Sequence, residues 1–123
     1  MNQSSKKILL VDDEPDMVQI LTQILETEGY EVNLAFDGDE ALEKLRSYRP
    51  DLVITDILMP KMDGWQFCKK IKENPLTKTI PILVLTAKSK DIDQLMTFES
   101  GADEYLSKPF DNGDFMSIVK RLT

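Results

Sequence analysis

Three short segments contain the residues best suited to chemistry. They read VDDE at Val11–Glu14, TDILMPKMDG at Thr55–Gly64 and LSKPF at Leu106–Phe110. Each begins at the end of a compact apolar run that is typical of a buried β-strand. If the strands are parallel, their ends converge at one edge of the sheet and form a cleft. The charged residues that would meet there are Asp12, Asp13, Asp56 and Lys108. Three carboxylates beside one ammonium suggest a site for a divalent cation and a phosphate.

The acidic run after the first apolar segment points to a metal. Four of the five residues at positions 12–16 are acids, and like charges at this spacing raise one another's pKa. A hard cation relieves that repulsion, and Mg²⁺ takes oxygen ligands from carboxylates, water and phosphate. Glu14 and Asp16 suit the first turn of a helix, where the helix dipole favours acids. Asp12 and Asp13 end the strand before that turn, so we assign these two to the metal.

Three residues at other strand ends could handle a phosphoryl group. Asp56 follows an apolar run, where an acid is costly to bury without partners. It could be a third metal ligand, or a nucleophile that forms an aspartyl-phosphate. Thr86 is either a β-branched strand residue or a hydroxyl that bonds a phosphoryl oxygen. Lys108 is either a solvated charge or, facing acids, a phosphate clamp.

The composition narrows the possible functions. The 123 residues suffice for one domain with one core. The net charge of −7 argues against direct nucleic-acid binding, and no apolar stretch approaches the ~20 residues of a membrane span. The absence of histidine excludes His-dependent catalysis and His metal sites. The single cysteine, Cys68, and the polar start MNQSSKK predict a cytoplasmic location.

Five apolar runs alternate with helical patterns along the chain. The first, third and fourth runs are apolar on both faces, as in central parallel strands, whereas the second alternates as an edge strand would. The predicted strands are Lys7–Val11, Glu31–Ala35, Leu52–Thr55, Ile82–Leu85 and Glu104–Leu106.

Five helices are predicted after these strands. Gly29 suits the left-handed position past the end of the first helix. The apolar stripe of that helix consists of Met17, Ile20, Leu21, Ile24 and Leu25. The second helix is expected to begin near Gly38, and the third and fifth helices have N-caps at Asp63 and Asp111. The fourth helix is expected to carry Ile92, Leu95, Met96 and Glu99. The pattern is (βα)₅ with short connections, which predicts an α/β fold: a doubly wound sandwich around a parallel five-stranded sheet.

The sequence resembles the receiver domain of two-component response regulators, of the chemotaxis-regulator-like kind. The resemblance rests on VDDE, DILMPKMDG, the Thr86–Ala87 pair and GADEYLSKPF, in that order and spacing. It implies a single receiver domain over residues 1–123 with its core at 6–122. It also implies a flavodoxin-like sheet of order 2-1-3-4-5.

The resemblance assigns a role to each residue of the predicted cleft. Asp56 is implied as the phosphoacceptor, which takes a phosphoryl group from a sensor histidine kinase in a Mg²⁺-dependent reaction. Asp13, Asp56 and the backbone carbonyl of Leu58 are implied as direct Mg²⁺ ligands, while Asp12 holds a metal-bound water. Mn²⁺ is expected to substitute for Mg²⁺. Lys108 is implied to pair with the phosphoryl group.

Further implied roles concern the switch. Thr86 is expected to close on the phosphoryl group and Tyr105 to turn inward, which reshapes the face made by the fourth helix, fifth strand and fifth helix. The bond before Pro109 is expected to be cis. Leu58 and Lys88 flank the phosphoryl group in this family, so we expect them to tune its lifetime.

The implied activity is signalling, not turnover of an external substrate, although the domain would catalyse its own phosphorylation and dephosphorylation. The expected partners are a sensor histidine kinase or phosphotransfer protein, an effector protein or output domain, and, on phosphorylation, a second copy. No membrane partner is expected. Met17 and Ile20 belong either to the core or to the surface on which the kinase docks.

Three alternative interpretations remain at this point. A Mg²⁺-dependent phosphatase with an aspartate nucleophile would have a second acid where this chain has Leu58. A flavin carrier on the same sheet would need a hydroxyl- and glycine-rich loop in place of DDEPD. A receiver that only binds a partner would not need the complete set of cleft residues.

Overall fold

A parallel five-stranded sheet organises the chain in the computed structural model, which describes residues 5–59, 61–87, 95–97 and 99–123. The strand order is β2-β1-β3-β4-β5, as predicted, with β2 and β5 at the edges. Every strand begins where the sequence predicted, and the last three each extend one residue further. The strands are β1 (Lys7–Val11), β2 (Glu31–Ala35), β3 (Leu52–Asp56), β4 (Ile82–Thr86) and β5 (Glu104–Ser107).

The helices begin and end at the signals that the sequence carries. Pro15 opens the first helix, Asp63 and Asp111 accept N-cap hydrogen bonds, and Gly29 has a left-handed φ of 95°. Residues 95–97 and 99–100 are helical and constitute α4 here; Ile92, predicted on this helix, lies outside the described residues. The other helices are α1 (Pro15–Thr27), α2 (Gly38–Lys44), α3 (Gly64–Glu73) and α5 (Asn112–Leu122).

Alternate residues of the central strands enter two separate hydrophobic clusters. Leu9 of β1 packs with Phe67 and Cys68 of α3, whereas Ile8, one position earlier, packs with Phe115 of α5. Because successive side chains of a strand point to opposite faces, α2 and α3 cover one side of the sheet and α1 and α5 the other. This two-sided burial is the reason why the central strands are apolar throughout.

The apolar stripe of α1 is only partly buried. Leu21 and Leu25 are in the core, but Ile20 is 54% exposed and Met17 is half-buried. Val18, which the stripe did not include, is buried instead. None of the helices among the described residues is long and apolar enough to cross a membrane.

Candidate phosphoryl-acceptor and metal site

The sheet register brings the three predicted segments to one edge. Val11 lies opposite Thr55, so Asp12 and Asp56 leave the sheet side by side. On the other flank Thr86 lies opposite Ser107, the residue before Lys108. These ends surround a cavity of about 300 Å³, whose lining includes Asp13, Asp56, Thr86 and Lys108. The cleft inferred from the sequence is therefore present at the carboxyl ends of the strands.

Three carboxylates meet in this cleft closely enough to share one cation. One oxygen from each of Asp12, Asp13 and Asp56 lies within 4.8 Å of the other two. Asp12 is buried and Asp13 is exposed, so the cluster reaches from the protein interior to the solvent. Carboxylate oxygens are the ligands that Mg²⁺ prefers, and an open side leaves room for water and phosphate oxygens.

Asp12 is a buried carboxylate whose negative charge would be stabilised by a nearby cation. Its side chain is 1% exposed, and Oδ1 accepts a hydrogen bond of 3.0 Å from the backbone N–H of Glu14. Oδ2 is buried and has no hydrogen-bond partner among the described residues. Burial, with the nearby charge of Asp56 adding to it, raises the pKa of Asp12 from 3.8 to about 6. An orphaned carboxylate oxygen beside two further carboxylates fits a hard cation.

Asp56 is held by a backbone amide and by an ammonium. Its Oδ1 accepts a 2.8 Å hydrogen bond from the N–H of Ile57 and lies 3.2 Å from Nζ of Lys108. The two charged side chains are only 12% and 19% exposed, so solvent screens their attraction weakly. The hydrogen bond and the ion pair of Asp56 within the described residues both involve Oδ1, not Oδ2.

The loop after Asp56 is closed against its own strand by Gly64. The N–H of Gly64 donates to the carbonyl of Ile57 at 2.8 Å. A Cβ on Gly64 would lie 2.3 Å from the backbone oxygen of Asp56 and 2.8 Å from Cα of Ile57. Asp63 then caps α3, and Oε1 of Gln66 accepts a hydrogen bond from the backbone N–H of Asp63. Glycine is therefore required where this loop returns to the end of β3.

The remaining predicted site residues lie on the rim or behind it. Leu58 is 71% exposed and lines the cavity, and Thr86 is fully buried at its floor. Tyr105 is half-buried and packs against the core cluster on the α2–α3 side. The peptide bond between Lys108 and Pro109 is cis. The predicted residue Lys88 lies outside the described residues.

Two features of the site were missed by the sequence analysis. The amide of Ile57 donates to Asp56, and Gly64 permits the close return of the loop. Backbone donors carry no side-chain signature, so no residue type could have revealed the first. The sequence did carry a signal for the close return at Gly64, because Asp63–Gly64 before a helical pattern is typical of a turn.

A parallel sheet of this order with an acidic cleft at its carboxyl edge defines a doubly wound α/β domain with a cation-binding site. Residues 8–120 match the model of the response regulator receiver domain family. The chain belongs to that family. Its members are phosphorylation-activated switches of two-component systems, so this chain is a signalling switch and not a classical enzyme. Receivers of this kind work with histidine kinases and output domains.

Individual relatives agree with the family match. The alkaline phosphatase synthesis transcriptional regulatory protein PhoP of Bacillus subtilis is 43% identical over 118 residues. Those residues are 96% of this chain but 48% of PhoP, so the chain spans about half the length of this relative. The chemotaxis response regulator CheY4 of Vibrio cholerae superimposes with a TM-score of 0.90 at 34% identity, over 98% of this chain and 100% of that one.

A third similar structure contains a metal. It is the receiver domain of the sensor histidine kinase PA1611 of Pseudomonas aeruginosa PAO1, with a TM-score of 0.88 and 29% identity. The match covers 97% of this chain and 98% of that one. That receiver has a magnesium ion coordinated in its active-site cleft. The acidic cluster of the present chain supports Mg²⁺ binding here too.

Proposed function

We propose that Asp56 is the phosphoacceptor of this receiver and that the domain itself catalyses the gain and loss of the phosphoryl group. The observation that carries the proposal is the position of its carboxylate, beside Lys108 and two further carboxylates at an open cavity. A nucleophile needs a fixed orientation and a path to its substrate. Asp56 has both.

The two carboxylate oxygens of Asp56 would have different roles. Oδ1 is occupied by the amide of Ile57 and the ammonium of Lys108, which fix the carboxylate plane. Oδ2 attacks phosphorus, an O–P bond forms, and the P–N bond to the histidine of the kinase breaks. The imidazole leaves with the electron pair of that bond and takes up a proton. Lys108 is then near enough to stabilise charge on the transferred group.

The acidic cluster would hold the divalent cation that this reaction requires. Asp13, Asp56 and the backbone carbonyl of Leu58 are its proposed direct ligands, and Asp12 would bind it through a water. When bound, Mg²⁺ neutralises charge on the phosphoryl oxygens. The orphaned Oδ2 of Asp12 supports this assignment, since a cation or its water would supply the missing partner. Mn²⁺, with the same ligand preferences, is the expected substitute.

Thr86 and Tyr105 are the proposed switch. Thr86 ends β4 in the cleft, and its carbonyl accepts a 2.6 Å hydrogen bond from the N–H of Lys108. A phosphoryl group on Asp56 adds roughly −1.5 to −2 charge beside both residues. We expect the Thr86 hydroxyl to move toward that charge and Tyr105 to fill the space behind it. The surface of α4, β5 and α5 would change shape as a result.

A groove beside the cleft is the proposed docking surface for the kinase or a phosphotransfer protein. It has a volume of about 460 Å³ and is lined by Met17, Ile20 and Phe110 together with Lys108. A partner seated there would approach Asp56 from the solvent side. Met17→Ala should slow phosphotransfer from a kinase and leave phosphorylation by acetyl phosphate unchanged. Leu76→Ala, at an exposed leucine that does not line this groove, is the control.

The face that changes shape would also be the surface that transmits the signal. The altered α4-β5-α5 face would bind an effector protein or output domain, or pair with a second copy after phosphorylation, inside the cytoplasm. The ion pair of Arg121 with Glu104 lies on this face and would have to adapt to such a contact. Sedimentation of the phosphorylated and unphosphorylated protein distinguishes pairing from a monomeric switch.

Intact mass spectrometry tests the central proposal. The protein is incubated with acetyl phosphate and Mg²⁺, beside an Asp56→Ala variant and a sample with excess chelator. One added phosphoryl group, absent in both controls, is the expected result. No addition to a protein that is shown separately to bind Mg²⁺ would overturn self-catalysed phosphorylation and favour a receiver that only binds partners. Steady release of phosphate from an unrelated phosphomonoester would instead favour the phosphatase interpretation.

A further inference from the structure

A second cavity lies at the opposite end of the sheet from Asp56, between the carboxyl-terminal ends of α2 and α3. Its volume is about 250 Å³. The described residues that line it include no carboxylate, although the whole chain carries a net charge of −7. They combine three leucines with three cations: Leu42, Leu45, Leu76, Arg46, Arg49 and Lys70.

The cations around this cavity are available to an external anion. Arg46 pairs with Glu43 at 3.4 Å, but both side chains are about three-quarters exposed, and such a pair is weak. Arg49 donates to the carbonyls of Leu45 and Tyr48, contacts that hold its guanidinium in place without neutralising it. Lys70 makes no ion pair within the described part of the chain. A local excess of positive charge therefore lies on a protein that is otherwise acidic.

An apolar surface accompanies this charge. Leu76 is 71% exposed at the cavity, and Leu45 is buried beneath it. The turn that carries Leu76 is fixed, because Asn74 accepts a 2.9 Å hydrogen bond from the N–H of Leu76 and Thr77 donates at 2.8 Å to the carbonyl of Ile71. Basic residues near helix ends also offset helix dipoles, but that effect does not account for a fixed, exposed leucine among them.

We propose that this basic cavity is a docking site for an acidic segment of a partner protein that presents an aliphatic side chain. The aliphatic group would contact Leu76 and its neighbouring leucines, and flanking carboxylates would pair with Arg46, Arg49 and Lys70. Charge complementarity selects such a partner, and the leucines favour a segment that buries apolar area over a simple inorganic anion. The site is separate from Asp56, so it adds a contact that does not depend on the phosphoryl chemistry.

α3 offers a matched pair of variants to test the proposal. Lys69 and Lys70 are adjacent and exposed, but Lys69 lines a different cavity, with Trp65 and Met96. Lys69→Glu and Lys70→Glu therefore change the net charge equally. Leu76→Ser removes the apolar contact without touching a buried residue. The probe is a fluorescein-labelled synthetic peptide of alternating glutamate and leucine, with glutamine–leucine and glutamate–serine versions as controls.

The expected result is saturable binding of the glutamate–leucine peptide alone, measured by fluorescence anisotropy. Lys70→Glu and Leu76→Ser should each weaken it about tenfold or more, whereas Lys69→Glu should leave it within about twofold. Amide shifts in the NMR spectrum should cluster at the ends of α2 and α3. No binding at millimolar peptide, or equal weakening by both lysine variants, would overturn the proposal. An unchanged peptide affinity in Leu76→Ser would also overturn the proposal, because binding would then depend on charge attraction and not on the apolar contact. Far-UV circular dichroism and urea unfolding show that each variant is folded.

Discussion

The ammonium of Lys108 lies 3.2 Å from Oδ1 of Asp56, although β4 separates β3, which ends at Asp56, from β5, which ends just before Lys108. The contact spans the central part of the carboxyl edge, with Thr86 of β4 in the cleft between them. A single ion pair therefore connects β3 with the loop after β5. Any change in the charge on Asp56 acts directly on that loop.

Lys108→Ala should slow the uptake of phosphate from acetyl phosphate by about tenfold or more, because the cation that stabilises the transferred group is lost. Mg²⁺ binding should persist, since Lys108 contributes no ligand. Intact mass over time measures uptake, and a Mg²⁺ titration measures binding. Lys69→Ala, an exposed lysine on α3, is the control. Uptake at the parental rate in Lys108→Ala would remove this residue from the mechanism.

In the metal-free protein, ionisation of Asp12 should destabilise the folded state as the pH rises through the pKa range of this residue. Burial raises the pKa of Asp12 from 3.8 to about 6, so the folded state holds a proton that the unfolded state releases. The contribution of Asp12 to the free energy of unfolding is therefore most favourable below about pH 4, falls between about pH 4 and 6, and stays lower above that range. The shift of roughly two units corresponds to about 3 kcal/mol at most.

Asp12→Asn isolates this contribution, because an amide keeps an acceptor for the N–H of Glu14 and removes the charge. In chelator, urea unfolding should show the variant more stable than the parent by about 1–3 kcal/mol at pH 7.5, with little difference at pH 4. Saturating Mg²⁺ should narrow the difference at pH 7.5, because it should stabilise the parent more than the variant. A difference that does not change with pH would contradict the assignment.

Leu58 should prolong the life of the phosphoryl group by shielding it from water. Its side chain lines the cavity and is 71% exposed, so it can cover an acyl phosphate without strain in the core. Leu58→Asn with Lys88→Glu should shorten the half-life by roughly threefold or more, since polar groups there can orient a water. Loss of the phosphoryl mass after removal of acetyl phosphate measures the decay.

Leu76→Asn is the control variant for the measurement of phosphoryl decay. Leu76 is also 71% exposed but lines the distant basic cavity, so the same substitution tests apolar exposure alone. Single variants at positions 58 and 88 separate the two contributions. Equal or faster decay in the parent than in the double variant would show that these side chains do not protect the phosphoryl group.

Most of the fold could be predicted from the sequence because the polarity pattern of each strand agrees with its position in the sheet. β2 alternates in polarity and is an edge strand, while β1, β3 and β4 are apolar throughout and are central. β3, β4 and β5 each run one residue past their predicted ends, because Asp56, Thr86 and Ser107 are polar and do not continue the apolar runs before them. A polar residue at the end of a strand therefore hides how far the strand extends.

The sequence could place charged groups in the cleft but not distinguish their environments. Asp12 and Asp13 are adjacent and chemically identical, yet one is 1% exposed and the other is exposed. The direction of each side chain depends on the twist and register of the sheet, which sequence spacing does not fix. The same holds for α1, where Val18 is buried and Ile20 is exposed, because the apolar stripe fits the core in more than one rotation.

The glycine that closes the loop after Asp56 should tolerate no side chain. A Cβ on Gly64 would come within 2.3 Å of the backbone oxygen of Asp56, and backbone atoms cannot move aside as a flexible side chain can. Gly64→Ala should therefore cost about 3 kcal/mol in the free energy of unfolding and displace Asp56, so that phosphoryl uptake falls as well.

Gly29→Ala separates steric conflict from backbone strain. Gly29 has a φ of 95° but nothing within 4 Å of an added Cβ, so its substitution should cost only about 1–2 kcal/mol and leave phosphoryl uptake unchanged. Urea unfolding measures the free energies, and intact mass measures uptake in the same preparations. If Gly64→Ala behaves like Gly29→Ala in both measurements, the close return of the loop does not position Asp56.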